Sequence, residues 1–301
     1  MCVCDGGDVC ARARASTNVV PPIVFEKCGK KCARASEMRA ATMATAINGA
    51  PNARNDGKQS TPSTRRTHKV IYFDCDDALY KNDWKTAGLI TKKIESFTVG
   101  ELGLPPGRAY ELYKQYGTCL KGLQEEKLLD ESRLEEFLHF AHDIPHDEHI
   151  QRDEALRAML LKIKTPKWIF TASARHHAQR CLEILGVDDL FEGIIDVRAV
   201  GWHTKHDARA YQAAMDIAGV TDPADCLFLD DSVSNLKTAR AVGWSNVLVG
   251  THARDTGEPI VTDHADHIIG TVHEFEDLCK THGYDHFHVE DAVEVENAVE
   301  N

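Results

Sequence analysis

The chain has 301 residues, 43% of them hydrophobic and 27% charged, with a formal net charge of −12; this make-up suits a globular protein with one large core or two smaller ones. It contains no run of about 18 apolar residues, so neither a membrane-spanning helix nor a membrane partner is expected. Residues 1–67 carry 11 Lys/Arg against 5 Asp/Glu, which leaves the remainder strongly acidic and a poor match for a nucleic-acid polymer, whose phosphates call for basic side chains.

Residues 1–67 are rich in Ala, Arg, Ser, Thr and Asn, lack a sustained apolar period and read as a disordered leader. A basic, acid-poor leader bearing hydroxyls resembles an organelle transit peptide; the alternatives are a plain tail, or an extension upstream of a start at Met38 or Met43. The expected location is intracellular: plastid or another organelle if the leader is a transit peptide, and cytoplasmic otherwise. Cysteine usage agrees. Cys2, Cys4, Cys10, Cys28 and Cys32 cluster at the start, and no second pair accompanies Cys28 and Cys32 to complete a zinc site. Cys75, Cys119, Cys181, Cys226 and Cys279 are scattered singly, as reduced core thiols are.

The run Lys69-Val70-Ile71-Tyr72-Phe73 is apolar and β-prone, and it ends abruptly in Asp74, Asp76 and Asp77. Carboxylates crowded at the end of a buried strand need a cation or another partner. Residues 82–163 read as helical throughout. Trp84, Leu89, Ile90, Ile94 and Phe97 recur at helical spacing, Pro105-Pro106 opens a second helix, and Asp130-Glu131-Ser132 starts a third. Leu134, Phe137, Leu138 and Phe140 supply the third helix's buried stripe, and Arg152 to Ile163 form a short amphipathic helix. The insert is too long for a simple crossover and is expected to be a small helical domain of its own.

From Pro166 strands and helices alternate. Strands are expected at Lys167–Thr171, Gly193–Val197, Cys226–Leu229, Asn246–Val249 and His267–Ile269. Helices are expected at Ala174–Leu185, Ala208–Ala218, Val233–Val242 and Val272–Cys279, with Gly186 and Gly219 stopping the first two. Such alternation implies an α/β fold with a doubly wound parallel sheet. Residues 286–301 end in an acidic run and read as a disordered, solubilising tail.

In a parallel sheet the carboxyl ends of the strands share one rim, where ligands bind. Asp74-Cys75-Asp76, Thr171-Ala172-Ser173, Lys205 and Asp230-Asp231-Ser232 with Asn235 can therefore converge. Carboxylates from two strands suit a hard divalent ion such as Mg²⁺. A lysine and a hydroxyl beside them suit an oxyanion, and a carboxylate pair spaced by one residue can divide nucleophilic attack and proton donation. Several histidines are set aside: His142, His146 and His149 read as a solvated loop interrupted by Pro145, and His177 as a polar residue at a helix start. Asp77 reads as part of a turn.

Asp74-x-Asp76, Thr171, Lys205 and Asp230-Asp231-Ser232-x-x-Asn235 resemble, in order and spacing, the four motifs of the haloacid dehalogenase superfamily, over residues 69 to about 280. The resemblance implies a Rossmann-like core, residues 68–81 and 164–285, with a helical cap, residues 82–163, inserted after the first motif. It implies Asp74 as nucleophile and Asp76 as general acid and base, its carbonyl on the metal. Thr171, Ala172 (through its backbone N–H) and Lys205 would hold phosphoryl oxygens. Asp231 would bind Mg²⁺ directly, with Asp230 in support. Superfamily dehalogenases lack the second aspartate and the metal, so Asp76 and Asp231 point to phosphoryl transfer. Ala78, Ala172 and His206 depart from the usual Thr, Asn and Pro.

The cap sequence Tyr113 to Leu123 and His142-Asp143-Ile144-Pro145 is similar to the pyrimidine 5′-nucleotidase branch. That resemblance implies a Mg²⁺-dependent phosphoric monoester hydrolase acting on a nucleoside monophosphate such as UMP or CMP, with Tyr116, Gly117 and Thr118 reaching over the rim; the alternative for Tyr116 is an ordinary aromatic of the cap core. The alternatives are another small phosphate ester (a phosphosugar, phosphoglycolate or a lysophospholipid) or a non-catalytic metabolite-binding protein. The sequence leaves the oligomeric state open.

Overall fold

The computed structural model describes residues 67–288; the expected leader, the Cys28–Cys32 pair and residues 289–301 of the tail lie outside them. A parallel sheet forms from β1 (Val70–Phe73), β2 (Lys167–Phe170), β3 (Ile194–Ile195), β4 (Cys226–Asp230), β5 (Ser245–Val249) and β6 (His267–Ile269), in the order β3-β2-β1-β4-β5-β6. The first strand is central, and the order reverses beside it, as in a doubly wound sheet. Strand period 2 divides each strand's side chains between two faces. Ile71 and Phe73 join one apolar layer, Val70 and Tyr72 the other. The first layer is completed by α6 (Arg175–Leu185) and α9 (Phe275–His282), the second by α7 (Ala208–Ala218) and α8 (Val233–Ala241).

The insert contains α1 (Lys85–Gly100), α2 (Arg108–Tyr116), α3 (Cys119–Glu125), α4 (Leu134–His142) and α5 (Glu154–Lys162). Helices α1 to α4 share a separate core built on Phe97, Leu112, Leu123, Phe137 and Leu138. The helical layer expected to run to residue 163 is shorter than that. Leu156, Met159 and Leu160 of α5 pack into the sheet's own layer with Ile71 and Phe73, so α5 belongs to the core. Its amphipathic pattern announces a buried face but not the partner of that face. The tail boundary also moves. His286 is fully buried, 3.0 Å from both His68 and Thr165, and Phe287 bridges to Ile163, so residues 286–288 are part of the fold. At the other boundaries the two descriptions differ by a few residues; the third strand shrinks from five residues to Ile194–Ile195.

Candidate active site

Asp74 follows β1, Thr171 follows β2 and Asp230 ends β4, so three adjacent strands deliver them side by side. The Asp74 N–H still donates to Leu229 O at 2.8 Å, which extends the ladder to Asp74. Lys205 arrives from the segment between β3 and α7, and its Nζ lies over the rings of Phe170 and Phe228, 5.2 and 5.1 Å from their centres. Nζ donates to Asp74 Oδ1 at 2.7 Å and to Asp230 Oδ2 at 2.8 Å. Burial opposes the lysine's charge, but the two carboxylates outweigh it and raise its pKa. Burial drives Asp74 up to about 7, with Lys205 opposing and Asp230 adding to the rise.

Asp230 is fully committed. Beyond Lys205 its carboxylate accepts from the Ser232 N–H at 2.7 Å and from Asn235 Nδ2 at 3.0 and 3.1 Å. Asp231 has no such partners among the described residues, and burial together with Asp230 and Asp74 raises its pKa well above the usual range. Oxygens of Asp74, Asp230 and Asp231 lie within 4.8 Å of one another. Three carboxylates and one ammonium leave a formal excess of two negative charges, which matches one divalent cation, and an all-oxygen donor set suits a hard one. Asp74 and Asp231 are the residues with oxygens to give; Asp230 orients Lys205 and the loop.

Asp76 is built differently. His177, fully buried on α6, brings Nε2 to 2.7 Å from Asp76 Oδ1; the Tyr80 hydroxyl donates to the same oxygen at 2.6 Å, and Ser173 Oγ donates to Oδ2 at 2.8 Å. The histidine's protonation follows from its neighbours. His146 Nδ1 lies 2.9 Å from the Ile144 carbonyl, so it must donate, which leaves His146 Nε2 as the acceptor 2.8 Å from His177 Nδ1. Both ring nitrogens of His177 therefore carry protons. Burial works against that charge, but Asp76 outweighs it and lifts His177 to about 10. Burial likewise opposes the Asp76 charge, and His177, Tyr80 and Ser173 overcome it to hold the carboxyl well below its ordinary range.

One expectation is corrected. His142 and His146 do not form a solvated loop: His142 is buried, its ring 4.9 Å from that of His177, and His146 bonds to His177. Their helix-end and linker positions fold back onto α6, which spacing in the sequence does not reveal. Tyr116 fits the alternative reading, an aromatic of the helical insert's core. Its ring packs in the cap's own core, close against Gly122, and its hydroxyl reaches Glu126 at 3.4 Å. The Thr118 hydroxyl caps α3 by accepting from the Lys121 N–H at 3.1 Å. Gly117 closely approaches the core: a Cβ there would stand 2.5 Å from His206 Nδ1. Thr171 is buried, its Oγ1 accepting from the Ser173 N–H at 3.0 Å, and Ala172 is exposed beside it.

Residues 68–243 of the 301 match the haloacid dehalogenase-like hydrolases. The chain belongs to that family. This haloacid dehalogenase-like hydrolase is similar to Phosphate metabolism protein 8 of Saccharomyces cerevisiae, at 29% identity over 225 residues that make up 67% of this chain and 68% of the relative. Similar solved structures include L-2-haloacid dehalogenase from Xanthobacter autotrophicus, with a TM-score of 0.46 and 17% identity over 71% of this chain and 99% of that one. Another is the magnesium-bound YfnB of Bacillus subtilis, with a TM-score of 0.46 and 14% identity over 71% of this chain and 99% of that one.

In this hydrolase the sequence reading missed Tyr80, and it gave Ser173 and His177 no part in holding Asp76. Tyr80 stands four residues after Asp76, at the end of the turn that follows β1, and His177 four after Ser173, in the first turn of α6. Those signals mark neighbours along the chain. The meeting of the two pairs across the sheet rim is a tertiary fact.

Proposed function

We propose that the protein is a Mg²⁺-dependent phosphomonoesterase with Asp74 as nucleophile, acting on a nucleoside 5′-monophosphate of the UMP or CMP type. The observation that carries the chemistry is the separation of the carboxylates into two electrostatic settings. Asp74 sits with Asp230 and Asp231 around Lys205, while Asp76, two residues on, is held by a different set of donors.

Asp74 and Asp231 would hold Mg²⁺ through side-chain oxygens and Asp76 through its carbonyl, with Asp230 supporting from behind Lys205. A divalent cation there supplies charge neutralisation for phosphoryl oxygens. Lys205 balances the charge of Asp74 and, with Thr171 and the Ala172 N–H, binds the remaining oxygens. An Asp74 oxygen attacks phosphorus and the bond from phosphorus to the leaving oxygen breaks; the ionised Asp76 carboxylate takes the proton of the monoanionic phosphate ester at its one open Oδ2 position and passes it to that oxygen. Water then attacks the aspartyl-phosphate. Asp76 takes the water's proton, the acyl-phosphate P–O bond breaks, and phosphate and free Asp74 result.

The nucleotide rests on the cap's resemblance to the pyrimidine 5′-nucleotidases. With Tyr116 committed to the cap core, base recognition falls to other groups near Gly117. A second reading, another small phosphate ester, is supported by the yeast relative, whose name places that protein in phosphate metabolism. Phosphate release from UMP, CMP, AMP, a phosphosugar, phosphoglycolate and a lysophospholipid, with and without Mg²⁺, tests both. Preference for UMP or CMP supports the first reading and preference for another ester the second. Silence across the panel refutes both.

A further inference from the structure

We propose that His177, itself held by His146 from the segment between α4 and α5, is a positioning residue that aims the Asp76 carboxylate at the leaving group. This rests on the phosphomonoesterase reading and adds a residue that the four motifs do not contain.

A carboxylate has about four acceptor positions. On Asp76 both positions of Oδ1 are filled, by His177 Nε2 at 2.7 Å and the Tyr80 hydroxyl at 2.6 Å, and one position of Oδ2 is filled by Ser173 Oγ at 2.8 Å. One position on Oδ2 remains, and a proton for the leaving group passes through it. Donors from three segments fix the carboxylate plane: Tyr80 just after β1, Ser173 after β2 and His177 on α6.

The His177 ring is fixed in turn. Its Nδ1 donates to His146 Nε2 at 2.8 Å, and His146 is anchored through Nδ1 to the Ile144 carbonyl at 2.9 Å. The His142 ring, at the end of α4, lies 4.9 Å from it. His142 ends the last helix of the insert's own core, and His146 lies in the connection that returns from it. A cap displacement that moves residues 142–146 therefore loosens His177 and, through it, Asp76. Cap seating and acid alignment share one contact chain.

The test compares kcat/KM for phenyl phosphate and p-nitrophenyl phosphate, two esters of similar shape. Phenolate leaves poorly without a proton and p-nitrophenolate leaves well, and kcat/KM reports the steps through leaving-group departure. His177→Leu is expected to lower the phenyl ester's value about 10²-fold. That loss should exceed the loss on the nitrophenyl ester by roughly tenfold or more. His146→Ala, on a half-buried linker residue, should show the same inequality with a smaller size, and His177→Gln, which keeps an N–H donor, should recover part of the loss. Equal losses on both esters, in His177→Leu or, should it fail to fold, in His146→Ala, would overturn the positioning role and leave the phosphomonoesterase reading standing. A wild-type protein inactive on both esters and on the nucleotide panel would instead remove that reading.

Discussion

Lys205 Nζ stands 2.7 Å from Asp74 Oδ1, and the same nitrogen reaches Asp230 at 2.8 Å. The lysine is thus the cation that keeps two buried strand-end carboxylates together without a metal. Removing one partner of a buried charged set leaves the others uncompensated. Lys205→Met should lower metal-free stability by about 3 kcal/mol in urea unfolding and cut turnover by about 10²-fold or more. Lys205→Arg should not rescue turnover, because one compact ammonium nitrogen meets Asp74 and Asp230 at once, and a planar guanidinium cannot take its place at 2.7 and 2.8 Å from both.

If Asp74 and Asp231 hold a divalent cation, binding must stabilise the fold by mass action. Mg²⁺ at about 100 times its dissociation constant adds roughly 2.7 kcal/mol. The expected result is a rise in Tm with Mg²⁺ for the wild type that shrinks sharply in Asp231→Asn. An equal rise in both proteins would remove Asp231 from the ligand set without any appeal to activity.

The strand-end acids were legible in the sequence because an apolar run that stops at Asp74, or at Asp230, has no cheap way to bury its charge unless a partner meets it there. Lys205 was legible through the order of motifs, not through any local pattern. His177 was not. Its i to i+4 partner Cys181 on α6 marks a buried face, and a buried histidine is ordinarily a core residue; only the fold shows that Asp76, 101 residues away, faces it. The same gap explains α5 and Tyr116. Periodicity tells which side of a helix is buried, and it is silent on whether a cap or a sheet buries it.

Asp77 gives a pH prediction of definite sign. It is buried with φ at 58°, a left-handed backbone that Asp and Asn tolerate better than most residues. Burial, with Asp76 adding to it, pushes its pKa up to about 7 against Arg254 and Lys81. The folded, metal-free protein keeps a proton there that the unfolded chain has lost, so this group's contribution to stability falls as pH rises from about 4 to about 7. Asp77→Asn retains the turn and removes the charge. Its advantage over the wild type should be near zero at pH 4 and on the order of 4 kcal/mol at pH 8, with metal excluded. Urea midpoints across that range check it, and an advantage that does not change with pH would show that charge is not the cause.

Gly117 closes α2 at φ +87°, and a Cβ added there would stand 2.5 Å from His206 Nδ1. Two costs follow from Gly117→Ala, and they are separable. The left-handed backbone costs an alanine roughly 1–2 kcal/mol wherever its neighbours are. The clash depends on the ring of His206, the residue after Lys205, so it pushes the cap off the rim where Lys205 and Asp74 meet. His206→Ala opens that space without touching the backbone. If the contact seats the cap, Gly117→Ala should lower kcat/KM about tenfold, and Gly117→Ala/His206→Ala should recover most of it. Thermal stability should behave differently, since the backbone penalty survives in the double variant. A double variant whose activity losses simply add would mean that Gly117 is required for its backbone alone and that cap seating lies elsewhere.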